Sequence, residues 1–185
     1  AKNIDSFLGV CEPLSEKIKD TLLLGKNFPL VIAGDHSTAA GTISGIKMAH
    51  PDKKIGVIWV DAHADIHTPY TTPSGNLHGM PLSIVFGIDH KKVRMNEPKP
   101  ETIKQWDALK NLGGISPKVD PKDVIYIGVR DTEWPEDDLM DSHRMTNYPV
   151  EEVRKSGGKQ IAKQAVSDLS DCDLIYLSYD VDVLD

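Results

Sequence analysis

The stretch Asp61-Ala62-His63-Ala64-Asp65, set directly behind the apolar run Ile55-Gly56-Val57-Ile58-Trp59-Val60, restricts this chain more than any other part of it. Short, β-branched and aromatic, and entered from the polar segment Pro51-Asp52-Lys53-Lys54, the run has the pattern of a strand buried on both faces. In an extended chain alternate side chains share a face, so Asp61, His63 and Asp65 project to one side at the strand's carboxyl end. Carboxylates and an imidazole crowded there repel one another and lose hydration unless a cation holds them, which makes a metal site the physical expectation.

The arrangement recurs along the chain. Pro29 to Ala33 reads as a short strand running into Gly34-Asp35-His36-Ser37, with a helix from Thr38 to Met48 behind it. Val124 to Val129 reads as a strand ending in Arg130-Asp131-Thr132-Glu133, and Leu174 to Tyr179 as another that delivers Asp180-Val181-Asp182. Helical spacing occurs between Pro13 and Gly25 (Leu14, Ile18, Leu22), from Pro81, from Ile103 to Leu109, from Val150 to Lys155 and from Ile161 to Leu169. His67 to Met80, rich in Thr, Pro, Ser and Gly, reads as a loop, and residues 89 to 100 as an exposed excursion. Strands separated by helices require crossover connections. The expected fold is therefore three-layer α/β, a mostly parallel sheet with helices on both faces, in one domain over residues 1–185. Ligands in such sheets collect at the carboxyl ends of the strands.

A net charge of -7 without a basic run argues against nucleic acid as a partner and suits a cationic small molecule. Cys11 and Cys172 form no CxxC pair, which fits a reducing compartment and offers no thiolate metal site. No apolar stretch approaches the roughly 18 residues of a membrane span, so no membrane partner and a cytoplasmic location are expected.

Taken together, His36, Asp61, His63, Asp65, Asp180 and Asp182 supply two imidazoles and four carboxylates. Oxygen-rich, with some nitrogen and no sulfur, the set suits Mn²⁺ better than a structural zinc, with Fe²⁺, Co²⁺, Ni²⁺ and Zn²⁺ as alternatives. Six ligands exceed the need of one tetrahedral ion, so two ions bridged by carboxylates is the economical reading. Two ions roughly 3.5–4 Å apart can share one hydroxide and lower its pKa toward neutrality.

Ala33-Gly34-Asp35-His36-Ser37, Asp61-Ala62-His63-Ala64-Asp65, Ser74-Gly75-Asn76-Leu77-His78-Gly79 and Ser178-Tyr179-Asp180-Val181-Asp182 together resemble the arginase and agmatinase (ureohydrolase) family, and most of all its arginase branch. The resemblance implies a binuclear manganese hydrolase that cleaves the guanidinium of arginine to ornithine and urea. Carried over by motif, one ion falls to His36, Asp61, Asp65 and Asp180, the other to Asp61, His63, Asp180 and Asp182, with Asp61 and Asp180 bridging. His78 matches the family's proton-shuttling histidine, and Asp65 can also take a proton. Ser74 and Asn76 match the loop that reads the amino-acid end of the substrate, although both are equally ordinary turn formers. His67 stands where arginases commonly have Asn, a further contact to the substrate carboxylate, and Glu133 where they commonly have Asp, the acid that reads the α-amino group. The resemblance implies both as substrate-binding residues, and a bulkier ring and a longer acid would reshape the pocket. The resemblance further implies trimers or hexamers, and sequences of this family are longer, so the chain is expected to be a fragment incomplete at both ends. Other readings are a ureohydrolase for another substrate (agmatinase, formimidoylglutamase or a guanidino-acid hydrolase), a single-zinc deacetylase of related architecture, and a metal-binding but inactive fragment.

Overall fold

The computed structural model describes every residue except Lys26. Ala1–Asp52 with Asp65–Lys118 forms one compact unit, and Lys53–Ala64 with Val119–Asp185 forms a second.

The first unit is built from helices. α1 (Ile4–Leu23) begins well before the Pro13 that the sequence suggests as its start, and carries that proline in its interior. Its buried stripe is Ile4, Phe7, Cys11, Ser15 and Ile18, a run at three- and four-residue spacing, while Leu24 lies outside it and exposed. α2 (Ala39–Ala49) packs across α1 through small residues. At Gly45 a Cβ would stand 2.5 Å from the Ser15 carbonyl oxygen and 2.7 Å from the Ile18 Cβ, so the two backbones meet where no side chain fits. α3 (Pro81–Phe86) and α4 (Pro100–Lys110) complete the core, where Met80, Ile84, Trp106, Leu109 and Leu112 join Ile4, Phe7, Cys11 and Ala40.

Two segments of this unit differ from expectation. Pro29 to Ala33 is not a strand: Leu30 and Ile32 are 80% and 90% exposed, and among the described residues no strand pairs with this segment. An apolar alternation becomes a strand only when a neighbour takes up its backbone groups. The loop from His67 to Met80 is far from solvated, because Thr68, Tyr70, Thr71 and Thr72 are all buried. Their hydroxyls replace missing ladder bonds: Thr71 Oγ1 accepts from the Thr68 N–H at 2.9 Å, and Thr68 Oγ1 donates to the Asp89 carbonyl at 2.9 Å. Asp89 in turn accepts from the Trp106 indole at 2.9 Å and pairs with Lys110, so the 89–100 stretch is anchored at its start.

The second unit holds a parallel sheet. β1 (Ile55–Val60) lies between β2 (Val124–Ile127) and β4 (Leu174–Tyr179), and β3 (Thr146–Tyr148) flanks β2, giving the order β3-β2-β1-β4. β3 is a three-residue polar edge strand with no apolar signature to announce it. α5 (Trp134–His143) connects β2 to β3, and α6 (Val150–Ser156) and α7 (Gly158–Asp168) connect β3 to β4. Ala165 of α7 and Leu169, just beyond it, pack on Ile58 and Ile125. On the opposite face Val57, Trp59, Val124 and Tyr126 are all fully buried, so the centre of the sheet is covered on both sides. No helix among the described residues is long and apolar enough to cross a membrane.

Two stability predictions follow from this packing. Gly45→Ala should destabilise the chain by about 1–3 kcal/mol in urea unfolding, despite alanine's better helix propensity, because neither a backbone oxygen nor a packed β-carbon can give way cheaply. Lys118 is buried, with its ammonium donating to the Lys110 and Ile115 carbonyls at 2.8 and 2.9 Å, and burial pushes its pKa down to about 8. Between about pH 8 and the ordinary lysine value of about 10.4 the unfolded chain binds the proton that the folded chain has lost, so stability rises with pH across that window. Relative to Lys118→Met, the parent should gain on the order of a few kcal/mol from pH 7.5 to pH 10.5. An unchanged difference between the two unfolding curves would remove this assignment.

Candidate metal centre

Register places the site. Val60 lies level with Ile127 on one side and with Tyr179 on the other. The residues that leave the sheet next, Asp61, Gly128 and Asp180, therefore stand side by side at about the 4.8 Å strand spacing. The ladder continues one step further, with the Asp61 N–H donating to the Ile127 carbonyl at 3.2 Å and the Asp180 N–H to the Val60 carbonyl at 2.8 Å.

Asp61 is 1% exposed, and its carboxylate is held from two directions. The Trp59 indole N–H donates to Oδ2 at 3.0 Å and the His63 backbone N–H to Oδ1 at 2.8 Å. Asp180 caps the 3-10 turn Val181–Leu184, its Oδ1 accepting from the Asp182 N–H at 3.1 Å. Asp182 reaches back across the strand ends: Oδ1 accepts from the Ala62 N–H at 3.2 Å, and Oδ2 lies 3.0 Å from His63 Nδ1. Asp61, His63 and Asp182 each bring one donor atom within 4.8 Å of the others, a spacing that can hold a cation. Two oxygens and an imidazole nitrogen, with one carboxylate buried, fit a divalent transition ion. The imidazole turns Nδ1 to these acids and Nε2 toward Asp131, whose Oδ2 is 3.6 Å away.

The first unit carries its own pair. His36 opens the 3-10 turn His36–Thr38, whose cap is Asp35, accepting from the Ser37 N–H at 2.8 Å. His36 Nδ1 lies 3.2 Å from Asp65 Oδ2, with both side chains about nine-tenths buried. Asp65 takes a left-handed φ of 54°, a conformation that Asp tolerates better than most side chains and that is found where a site imposes it. His78, itself exposed, follows the half-buried Gly75–Leu77 stretch, with Nδ1 3.9 Å from Asp35 Oδ2, one residue from His36.

The remaining expected residues are placed as follows. Ser74 shapes a turn, its Oγ accepting from the Asn76 N–H at 3.2 Å, and Asn76 Oδ1 accepts from the Lys2 ammonium at 3.4 Å. His67 is a buried ring, with Nδ1 3.2 Å from Thr71 Oγ1. Glu133 caps α5 in a reciprocal box with Glu136. Three supporting residues went unrecognised in the sequence: Trp59, Tyr126, whose hydroxyl donates to the Ala64 carbonyl at 3.0 Å, and Arg130. Trp59 had a usable signal, since a tryptophan two positions before a buried acid on a strand shares its face. A further group, Asp123, Asp171 and Cys172, has the spacing of metal ligands, but the Lys54 ammonium lies 2.9 Å from Asp123 and 2.5 Å from Asp171 and satisfies both acids.

A parallel sheet that gathers carboxylates and an imidazole beyond its strand ends defines an α/β protein with a candidate metal centre. The model of the Arginase family matches residues 3–185. An arginase of Bacillus subtilis is 38% identical over 184 residues, covering 100% of this chain and 56% of that protein. A crystal structure of arginase from the same organism superposes with a TM-score of 0.81 at 37% identity, over 96% of this chain and 55% of the other. An Entamoeba histolytica arginase, solved in complex with L-ornithine, gives 0.80 at 30% identity over 98% and 56%. The chain belongs to the arginase family, and it spans a little over half the length of the relatives it matches.

Removing the indole donor tests the buried end of β1. Trp59→Phe should lower the unfolding free energy of metal-free protein by about 1–3 kcal/mol, the cost of a buried carboxylate short of one hydrogen bond. Unchanged urea unfolding would mean that the indole does not hold Asp61.

Proposed function

We propose that this chain supplies the metal-binding and substrate-reading part of an arginase-type hydrolase that cleaves the guanidinium group of arginine to ornithine and urea. The observation that carries this reading is the register of β1 and β4, which sets Asp61 and Asp180 side by side with His63 and Asp182 beside them. Family membership supports it, as do motifs in the same order as the family's. His36, Asp61, Asp65 and Asp180 are proposed as ligands of one Mn²⁺ and Asp61, His63, Asp180 and Asp182 of a second. When bound, the pair supplies Lewis acidity and brings the pKa of water toward neutrality.

That assistance is needed because a guanidinium is resonance-stabilised and stays protonated up to pKa values above about 12, so unassisted water adds to it poorly. Addition of water to the guanidinium carbon and rupture of its bond to the chain nitrogen leave an amine that must gain a proton. His78, exposed and beside Asp35, is proposed to deliver it, since an imidazole both gives and takes a proton near neutrality. Asp65 is proposed to accept the proton that the attacking water gives up. Ser74 uses its oxygen as an acceptor within the turn, which leaves its hydroxyl proton for a substrate carboxylate. Asn76 offers its amide N–H groups in the same way. These two carry the preference for an amino-acid substrate. His67 and Glu133 are proposed as the further substrate contacts, at the carboxylate and the α-amino group, in place of the Asn and Asp common in arginases. The oligomer implied by family membership, a trimer or hexamer of this protein, belongs to the same proposal.

The test is urea release by the full-length protein loaded with Mn²⁺, offered arginine, agmatine and other guanidino acids. Arginine should be preferred, and His78→Asn should lower kcat by about 10²–10⁴-fold with KM little changed. A preference for agmatine would overturn the substrate, and no urea from any of them would overturn the reaction class.

A further inference from the structure

The turn that carries Asp182 is held by a side chain that no metal-ligand motif includes. Arg130, in the turn after β2, spreads its guanidinium over two backbone segments. Nη1 donates to the Gly128 carbonyl at 3.1 Å and the Val183 carbonyl at 3.5 Å, while Nη2 donates to the Asp182 carbonyl at 3.2 Å and the Asp185 carbonyl at 3.0 Å. Gly128 bounds the same turn: its φ is +91°, and a Cβ there would meet Val183 Cγ2 at 2.7 Å and the Asp61 carbonyl oxygen at 3.4 Å. The backbone under Arg130 is itself pinned to the ligand strand, because the Arg130 and Asp131 N–H groups both donate to the Ala62 carbonyl, at 2.9 and 3.0 Å. The Ala62 N–H donates in turn to the Asp182 carboxylate.

We infer that Arg130 is a positioning residue for the second ion's ligands, setting the height of the 181–184 turn and with it where the Asp182 carboxylate meets His63 and Asp61. The inference rests on the reading of Asp182 as a ligand. A guanidinium suits the task for two reasons. Its five donors lie in one rigid plane, so one group can satisfy carbonyls from two turns at once, whereas an ammonium offers three donors from a single point. It also spends its described donors on carbonyls rather than on the Asp182 carboxylate, while its charge offsets that of the acids nearby.

The test compares the full-length parent with Arg130→Met and Arg130→Lys. Mn²⁺ titration by calorimetry, read beside the electron paramagnetic resonance of the loaded proteins, should show one ion held as in the parent and the other bound about 10–100-fold more weakly in Arg130→Met. The spin-coupled signal of a metal pair should give way to that of isolated Mn²⁺. Arg130→Lys should recover the charge but only part of the affinity. Two ions bound with parental affinity in Arg130→Met would overturn the proposal, and so would loss of both ions in step with the cooperative melt. Hydrogen exchange of metal-free protein reads the same contact without the ion: amides of 182–185 should exchange at least about 10-fold faster in Arg130→Met, and unchanged rates would sink the proposal. A parent that binds no pair of ions would refute the proposed function and leave Arg130 to be decided by exchange.

Discussion

Everything at the site depends on β1, β2 and β4 ending level. In a parallel sheet the pairing offset decides which residues of adjacent strands emerge together, and a one-residue slip would turn every side chain to the other face. Here the offset is over-determined. Both faces of β1 are buried, Val57 and Trp59 on one side and Ile58 on the other, so the offset is held by shape-specific packing together with the Lys54 pairs before the strands and the ladder bonds of Asp61 and Asp180 after them. With that offset, Asp61 and Asp180 stand side by side, and His63 and Asp182 follow within one turn of chain.

The two ends of the same sheet treat their carboxylates in opposite ways. At the amino end Lys54, just before β1, pairs with Asp123 before β2 and Asp171 before β4, so an internal ammonium neutralises the acids. Those bonds hold the Lys54 pKa well above the ordinary lysine range, the first cause being the hydrogen bond it donates to Asp171. At the carboxyl end the nearby cation is Arg130, whose described bonds go to carbonyls. Acids closed by a lysine are a clamp on strand register. At the other end the arginine serves the turn backbone, and the acids there meet backbone N–H groups, an indole and an imidazole instead of an ammonium.

What the sequence revealed and what it concealed divide along a physical line. β1 and β2 were readable because burial on both faces demands unbroken apolar runs, β4 because it carries the same run although Ile175, Leu177 and Tyr179 stand exposed, and the candidate ligands because charge at the end of such a run is expensive without a partner. Pro29 to Ala33 has the same apolar signature but no paired neighbour among the described residues, and composition cannot say whether a partner exists. β3 escaped notice for the converse reason: Thr146-Asn147-Tyr148 is polar, and pairing alone makes it a strand. α1 was misplaced toward its carboxyl end because Pro13 resembles a starting residue, while the helix runs through it. Arg130 was invisible because its role lies in bonds to backbone carbonyls some fifty residues away, which leave no pattern of residue types.

The loop from His67 to Met80 shows how one stretch can be both polar and rigid. Threonine hydroxyls donate and accept at once, so Thr68 and Thr71 replace a missing ladder with bonds to their own loop, and their methyl groups tolerate burial. His67 belongs to that packing, its N–H donating to the Gly79 carbonyl at 2.8 Å next to His78. The base of the loop is tied down while Ser74 and His78 stand exposed at its surface. Groups that must meet a small substrate in one geometry gain from such a foundation, because the entropy of ordering them is lost at folding and need not be lost again at binding. The buried ring at position 67 stiffens that base, its Nδ1 3.2 Å from Thr71 Oγ1.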